Sequence, residues 1–190
     1  MRLAFLALAG LIVAAAPPRG ELTLGEVVPD VTFKAYDDKE HKLSDFRADA
    51  EKKTEGQVTV VYFHSEKCPQ QIPVATVKKV ADAWKDPKSG VKFLAFFAYG
   101  HDTEARIKEY IGENKLEYTC AWDTEKKLRD HFGAKQVNTT FVLDKNGKLI
   151  YRGGLLEIKR KQVTKDLVNE AVKAAQGKGE APKSDGNFAG

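Results

Sequence analysis

Two cysteines, Cys68 and Cys120, are the side chains of this chain best suited to covalent chemistry. Cys68 sits in the run His64-Ser65-Glu66-Lys67-Cys68-Pro69, directly after the β-branched and aromatic stretch Val58-Thr59-Val60-Val61-Tyr62-Phe63. A cysteine acts as a nucleophile in its thiolate form, which is favoured by nearby positive charge and by backbone N–H groups at a helix start. Lys67 is the adjacent cation, and His64 and His101 are further candidates for tuning the thiol, while Ser65 supplies a hydroxyl just ahead of the sulfur. The competing reading of Cys68 is a buried, inert cysteine. Cys120 lies among Tyr118, Ala121 and Trp122, a setting in which small buried cysteines commonly serve packing. Its alternative is as a resolving partner for Cys68, which requires Cα atoms within about 7 Å. His101 reads either as a general base or as an exposed loop residue. His64 and Cys68 together offer a soft metal such as copper only two ligands, so neither a metal site nor another cofactor is expected.

The elements around these residues must bring them to one place. Residues 58–63 are too short and too solidly apolar for an amphipathic helix, and read as a strand buried on both faces. From Val74 the apolar positions Val74, Val77, Val80, Ala81 and Trp84 recur at helical spacing. Pro69 suits a first helical position, but Pro73 removes a backbone bond one turn later, so the regular helix is expected to begin near Pro73. A second buried strand follows over residues 91–99, then a helix over 103–113, a short strand over 116–122 and a helix capped by Asp123 or Thr124 and closed at Gly133. Residues 137–143 read as a strand, turned by Asn146-Gly147 into a returning strand over 148–152. Residues 163–176 carry the last amphipathic pattern. Upstream, residues 25–33 read as an edge strand broken at Pro29, 37–42 as a charged turn, and 43–47 as a short helix with Ser44 as N-cap.

The resulting order, βαβαβαββα, is that of an α/β domain: parallel right-handed crossovers, helices on both faces of a mixed central sheet, and a C-terminal β-hairpin adding an antiparallel edge. In such an open sheet ligands and chemistry collect outside the carboxyl ends of the strands, where Cys68 and His101 are expected to fall.

The chain's 190 residues suit one domain. Its 42% hydrophobic and 31% charged composition, with a formal net charge of +4 spread over many Lys and Glu, gives nucleic-acid binding no support. Met1-Arg2, the apolar run from Leu3 to Ala16 and its small-residue end have the character of a secretory signal too short for a membrane span. We therefore expect a signal peptide over residues 1–16, a folded domain over 17–176 and a flexible tail over 177–190. The mature protein is expected to be secreted or periplasmic, free of the membrane after cleavage, in a compartment where disulfides persist.

Four landmarks resemble the thioredoxin-fold redoxins, the AhpC/TSA and TlpA-like exported proteins. Gly25-x-x-x-Pro29-Asp30-x-x-Phe33 with Leu43-Ser44-Asp45-Phe46 is similar to their N-terminal signature, and Tyr62-Phe63-His64-Ser65-x-x-Cys68-Pro69 to their active-site strand and turn. The helix from Asp123 to Gly133-Ala134, and the stretch from Thr139-Thr140-Phe141-Val142-Leu143 through Asn146-Gly147 to Tyr151-Arg152-Gly153, resemble the segments that follow. The resemblance implies a thioredoxin-like fold. It also implies that Cys68, with Ser65 at the place of a peroxidase threonine, reduces a peroxide or a disulfide, and that Asn138 and Thr139 form the substrate-side loop. An external thiol reductant or a protein disulfide substrate is the implied partner. The chain departs from the family at three places: Gln71 stands at the second cysteine of Cys-x-x-Cys, Val61 at the peroxidase proline, and Asn138 at the cis-proline. A cis bond without proline costs about 3 kcal/mol, so a trans peptide is expected there. These departures keep open a catalytically degenerate binding module and, after the copper-binding redoxin relatives, a copper chaperone.

Overall fold

The computed structural model describes residues 22–98, 103–123, 125–160 and 162–183. In chain order these form β1 (Thr32–Lys34), β2 (Glu40–Lys42), β3 (Val58–His64), α1 (Val74–Asp82), β4 (Val91–Phe97), α2 (Glu104–Glu113) and β5 (Thr119–Trp122). There follow α3 (Lys127–Phe132), β6 (Thr139–Leu143), β7 (Leu149–Gly154), β8 (Glu157–Lys159), β9 (Gln162–Lys165) and α4 (Leu167–Ala175).

The apolar run that begins at Val58 becomes the middle of a five-stranded sheet of order β5-β4-β3-β6-β7. Every residue of β3 is buried, as expected for a strand covered on both faces. β3 pairs in parallel with β4 from Val58↔Val91 to His64↔Phe97, and β4 in parallel with β5 from Leu94↔Thr119 to Phe97↔Trp122. β6 runs antiparallel to β3, and β7 antiparallel to β6, so the hairpin turned at Asn146-Gly147 supplies the antiparallel edge. Asp144 closes that turn by accepting from the Asn146 and Lys148 amides, and Gly147 takes φ +80°, a conformation open to glycine at little cost.

Side-chain alternation divides the sheet into two cores. On one face Val60, Tyr62, Phe93, Phe97 and Val142 pack against Val77 of α1, Ile107 of α2 and Val168 and Val172 of α4. On the other, Phe63, Phe96 and Phe141 meet Leu128 and Phe132 of α3 together with Phe33, Leu43 and Phe46 of the N-terminal segment. Each buried aromatic or aliphatic side chain contributes about 2 kcal/mol of apolar burial, so helices cover both faces because both faces are apolar.

Several local expectations need correction. The N-terminal signature holds a short hairpin, with Phe33↔His41 at its centre, rather than a strand over 25–33 followed by a charged turn. Ser44 lies inside a 3-10 turn, Leu43–Phe46, whose N-cap is Lys42. Ser44 instead donates its hydroxyl to Asp30 at 2.7 Å and its amide to the same carboxylate at 2.8 Å, tying the two halves of the signature together. Helix α4 begins at Leu167, not at 163, because residues 157–165 form the β8-β9 hairpin and Asp166 caps the helix through the Asn169 amide. Val163 therefore leaves the apolar face and is 52% exposed.

Candidate active site

The loop between β3 and α1 carries Cys68. Helix α1 starts only at Val74, with Pro73 as N-cap and no side-chain cap. Pro73 also disfavours helical geometry at Ile72, so residues 65–73 form a loop whose order comes from side chains. Cys68 and Gln71 close a turn, with the Gln71 amide donating to the Cys68 carbonyl at 2.9 Å. The thiol thus stands well upstream of the helix, and the helix N-terminus is not the feature that addresses it.

A polar network holds this loop down on β3. Gln71 accepts from the Ser65 amide at 3.0 Å and donates from Nε2 to Tyr62 Oη at 2.6 Å. Tyr62 Oη donates to Asn138 Oδ1 at 2.8 Å, which also accepts from the Ile72 amide at 3.1 Å. Asn138 Nδ2 donates to the Gln70 carbonyl at 2.7 Å, and its backbone amide donates to Phe63 O at 2.9 Å. Asn138 has φ +64°, a left-handed conformation that Asn tolerates better than most residues. No described peptide bond is cis. Burial raises the Tyr62 phenol above its ordinary pKa, so it stays a neutral hydrogen-bonding group.

The other side of the loop is anchored to α2. His64, at the end of β3, is 1% exposed, its Nε2 lies 3.1 Å from Tyr110 Oη, and its ring packs edge-on against Phe97. Burial pushes this imidazole down to about 3, so it is neutral near neutral pH and brings no positive charge to the thiol. Two residues further on, Glu66 accepts from Arg106 Nε at 2.8 Å and Nη2 at 2.7 Å.

Of the residues singled out in the sequence, Cys68 is half-buried and free, Ser65 is buried beside the Gln71 contact, and Lys67 is exposed. Thr139 is buried at the start of β6, its hydroxyl donating to Gln136 O at 2.6 Å. His101 lies outside the described residues. Cys120 is also free, and is buried in β5 opposite Ala95 of β4, which in turn faces Tyr62 of β3. Two strand spacings, roughly 10 Å, therefore separate Cys120 from β3, and Cys68 lies beyond that strand's end. Burial pushes the Cys120 thiol up to about 12. Among the described residues, no three His, Cys, Asp or Glu side chains cluster as a metal site would require.

The structure brings in residues that sequence reasoning passed over. Gln71 is half-buried and its side-chain amide is fully engaged. Tyr62, Tyr110 and Arg106 passed as strand and helix residues because their partners are distant in sequence. The one available signal was the coincidence of Gln71 and Asn138 at two family active-site positions.

A thioredoxin fold with a free, half-buried cysteine in the loop after its central strand defines the class as a redoxin fold. The AhpC/TSA family model matches residues 24–152, and the chain belongs to that family. No curated protein sequence matches it. Among solved structures it is similar to a hypothetical protein of Sinorhizobium meliloti 1021, with 19% identity, TM-score 0.71, and coverage of 87% of this chain and 91% of that one. It is similar to the thioredoxin domain of a thiol-disulfide oxidoreductase from Bacteroides vulgatus, with 16% identity, TM-score 0.58, and coverage of 82% and 99%. It also resembles the pneumococcal exposed lipoprotein thioredoxin of Streptococcus pneumoniae, with 20% identity, TM-score 0.57, and coverage of 77% and 99%. These likenesses confirm the fold.

Proposed function

We propose that this protein is an exported redoxin whose single thiol, Cys68, reduces a peroxide or a disulfide at the expense of an external thiol. The observation that carries the reading is a free, half-buried Cys68 on a loop held by side-chain hydrogen bonds beyond the central strand. Membership of the AhpC/TSA family supports redox chemistry at that position. With Gln71 in the turn and Cys120 walled into β5, the second sulfur must come from outside.

For a peroxide, the Cys68 thiolate attacks one oxygen, the O–O bond breaks, and an alcohol or water leaves with a proton. The resulting sulfenic acid is attacked by one external thiol, which displaces water, and a second external thiol releases Cys68 and departs as the disulfide. For a disulfide substrate, the thiolate attacks one sulfur, the S–S bond breaks and the other half leaves as a thiol. One external thiol then attacks the Cys68 sulfur of the mixed disulfide, releasing the second half as a thiol, and a second external thiol frees Cys68 and departs as the disulfide. Export rests on the signal-like residues 1–16, which lie outside the described residues. No described helix is long and apolar enough to cross a membrane.

The test is turnover of hydrogen peroxide and of a small disulfide with dithiothreitol as reductant. Cys68→Ser should abolish it and Cys120→Ala should retain most of it. Unchanged turnover in Cys68→Ser overturns the assignment. The second reading is a partner-binding module without turnover. It is favoured by the Tyr62, Gln71 and Asn138 network, which occupies the positions of the family's second cysteine and cis-proline. A Cys68 that alkylates no faster than free cysteine would decide for the module.

A further inference from the structure

The loop that carries Cys68 also carries a carboxylate, Glu66, two residues before the sulfur. Two residues along a chain lie at most about 7 Å apart at Cα, so a bare negative charge there opposes thiolate formation. Glu66 is not bare. Its side chain is only 13% exposed, and its Oε1 receives both Nε and Nη2 of Arg106, whose own side chain is 33% exposed. Arg106 also binds Glu109 at 2.7 Å and Glu113 at 3.4 Å, both on its own helix and both more than half exposed. Of the three carboxylates, Glu66 alone belongs to the Cys68 loop and alone is largely shielded from water, where a charge interaction is least screened.

We propose that Arg106 is a positioning residue for Cys68: reaching across from α2, its guanidinium neutralises Glu66 and pins the turn, so that the thiolate forms beside a compensated rather than a naked carboxylate. On losing its proton to solvent, Cys68 becomes the anion, and the charged groups that the described loop and its anchor on α2 contribute are Glu66, Lys67 and Arg106. The other ionisable groups among the described residues around the loop are less able to set the local charge. Tyr62 and His64 on β3 are buried and neutral, Tyr110 on α2 is a phenol, and Glu109 and Glu113 face water. Lys135, ahead of the Asn138 loop, is exposed. The Arg106 guanidinium is held charged first by the Glu66 hydrogen bond and then by that of Glu109. The inference rests on the proposed role of Cys68 for its importance, but it concerns the thiol itself and is tested without turnover.

The experiment is the pH dependence of Cys68 alkylation by iodoacetamide, read by mass spectrometry on the folded chain carrying Cys120→Ala, with circular dichroism to confirm the fold. Arg106→Gln should move the apparent thiol pKa up by about half a unit to one unit, the size expected of one nearby charge in a partly solvated setting. Glu66→Gln should move it down, since the loop then loses its shielded carboxylate while the guanidinium keeps its charge. The double variant should return close to the parent, Arg106→Lys should restore most of the shift, and Glu109→Gln should change little. A Glu66→Gln profile that coincides with the parent overturns the inference even if Arg106→Gln fails to fold. So does an Arg106→Gln profile that coincides with the parent, or a double variant as displaced as Arg106→Gln. Absent turnover with these shifts intact would instead count against the catalytic reading alone.

Discussion

Tyr62 Oη donates to Asn138 Oδ1 at 2.8 Å, joining the middle of the central strand to the loop before β6. The bond makes the buried phenol both donor to Asn138 and acceptor from Gln71. Three elements distant in sequence therefore share one hydroxyl, and the Cys68 loop cannot move without breaking a bond inside the protein.

Removing that hydroxyl tests how far the loop depends on it. Tyr62→Phe leaves the ring in place but takes a partner from Gln71 and another from Asn138, at a cost of about 1–3 kcal/mol. Asn138→Pro should do worse. The φ of +64° is closed to proline, and the amide donated to Phe63 O would be lost, so we expect at least about 3 kcal/mol. Urea unfolding of both variants checks the order. A neutral or stabilising Asn138→Pro would show that the loop readily adopts the family's proline geometry.

The strands and buried helix faces were legible in the sequence because their signals are local. The β3 run, the Asn146-Gly147 turn and the Val77 to Ala81 face each declare themselves within a few residues. Residues 157–165 did not, since β9 lies exposed throughout, β8 is only half-buried, and Val163 and Leu167 happen to fit a helical period. The site was half legible. Cys68 announced itself by chemistry and position, whereas Gln71 and Asn138 are ordinary loop residues whose meaning is a shared contact with Tyr62. His64 looked like a cation for the thiol, but its enclosure by Tyr62, Phe97 and Tyr110 keeps it neutral even well below neutral pH.

That enclosure has a pH consequence. His64 titrates near 6.5 when unfolded and about 3 when folded, because burial disfavours the imidazolium. Above about pH 6.5 it is neutral in both states and exerts no effect. Between about 6.5 and 3 the unfolded chain binds a proton that the folded chain refuses, so stability falls as pH falls, by up to about 1.4 kcal/mol per unit. At pH 5 the loss is about 2 kcal/mol on this basis. His64→Phe, which keeps a ring against Phe97, should flatten the slope over this window. Urea unfolding at pH 7, 6 and 5 gives the comparison, and parallel stability profiles for parent and variant would refute it.

The last prediction concerns Cys120, whose sulfur sits in the same core layer as Tyr62 and donates to the Tyr118 carbonyl at 3.5 Å. With its thiol pushed up to about 12, only about one molecule in ten thousand carries the thiolate at pH 8, and burial hides even that fraction. In the native state iodoacetamide should therefore label Cys68 alone, and Cys120 should react only after urea unfolding, giving one adduct and then two by mass spectrometry. Oxidation of the folded chain with hydrogen peroxide should likewise yield Cys68 sulfenic acid, or an adduct with added thiol, rather than a Cys68–Cys120 bridge. A bridge in the folded protein would mean that β5 opens far enough to carry a buried sulfur across about 10 Å of sheet, and Cys120 would then be the resolving partner after all.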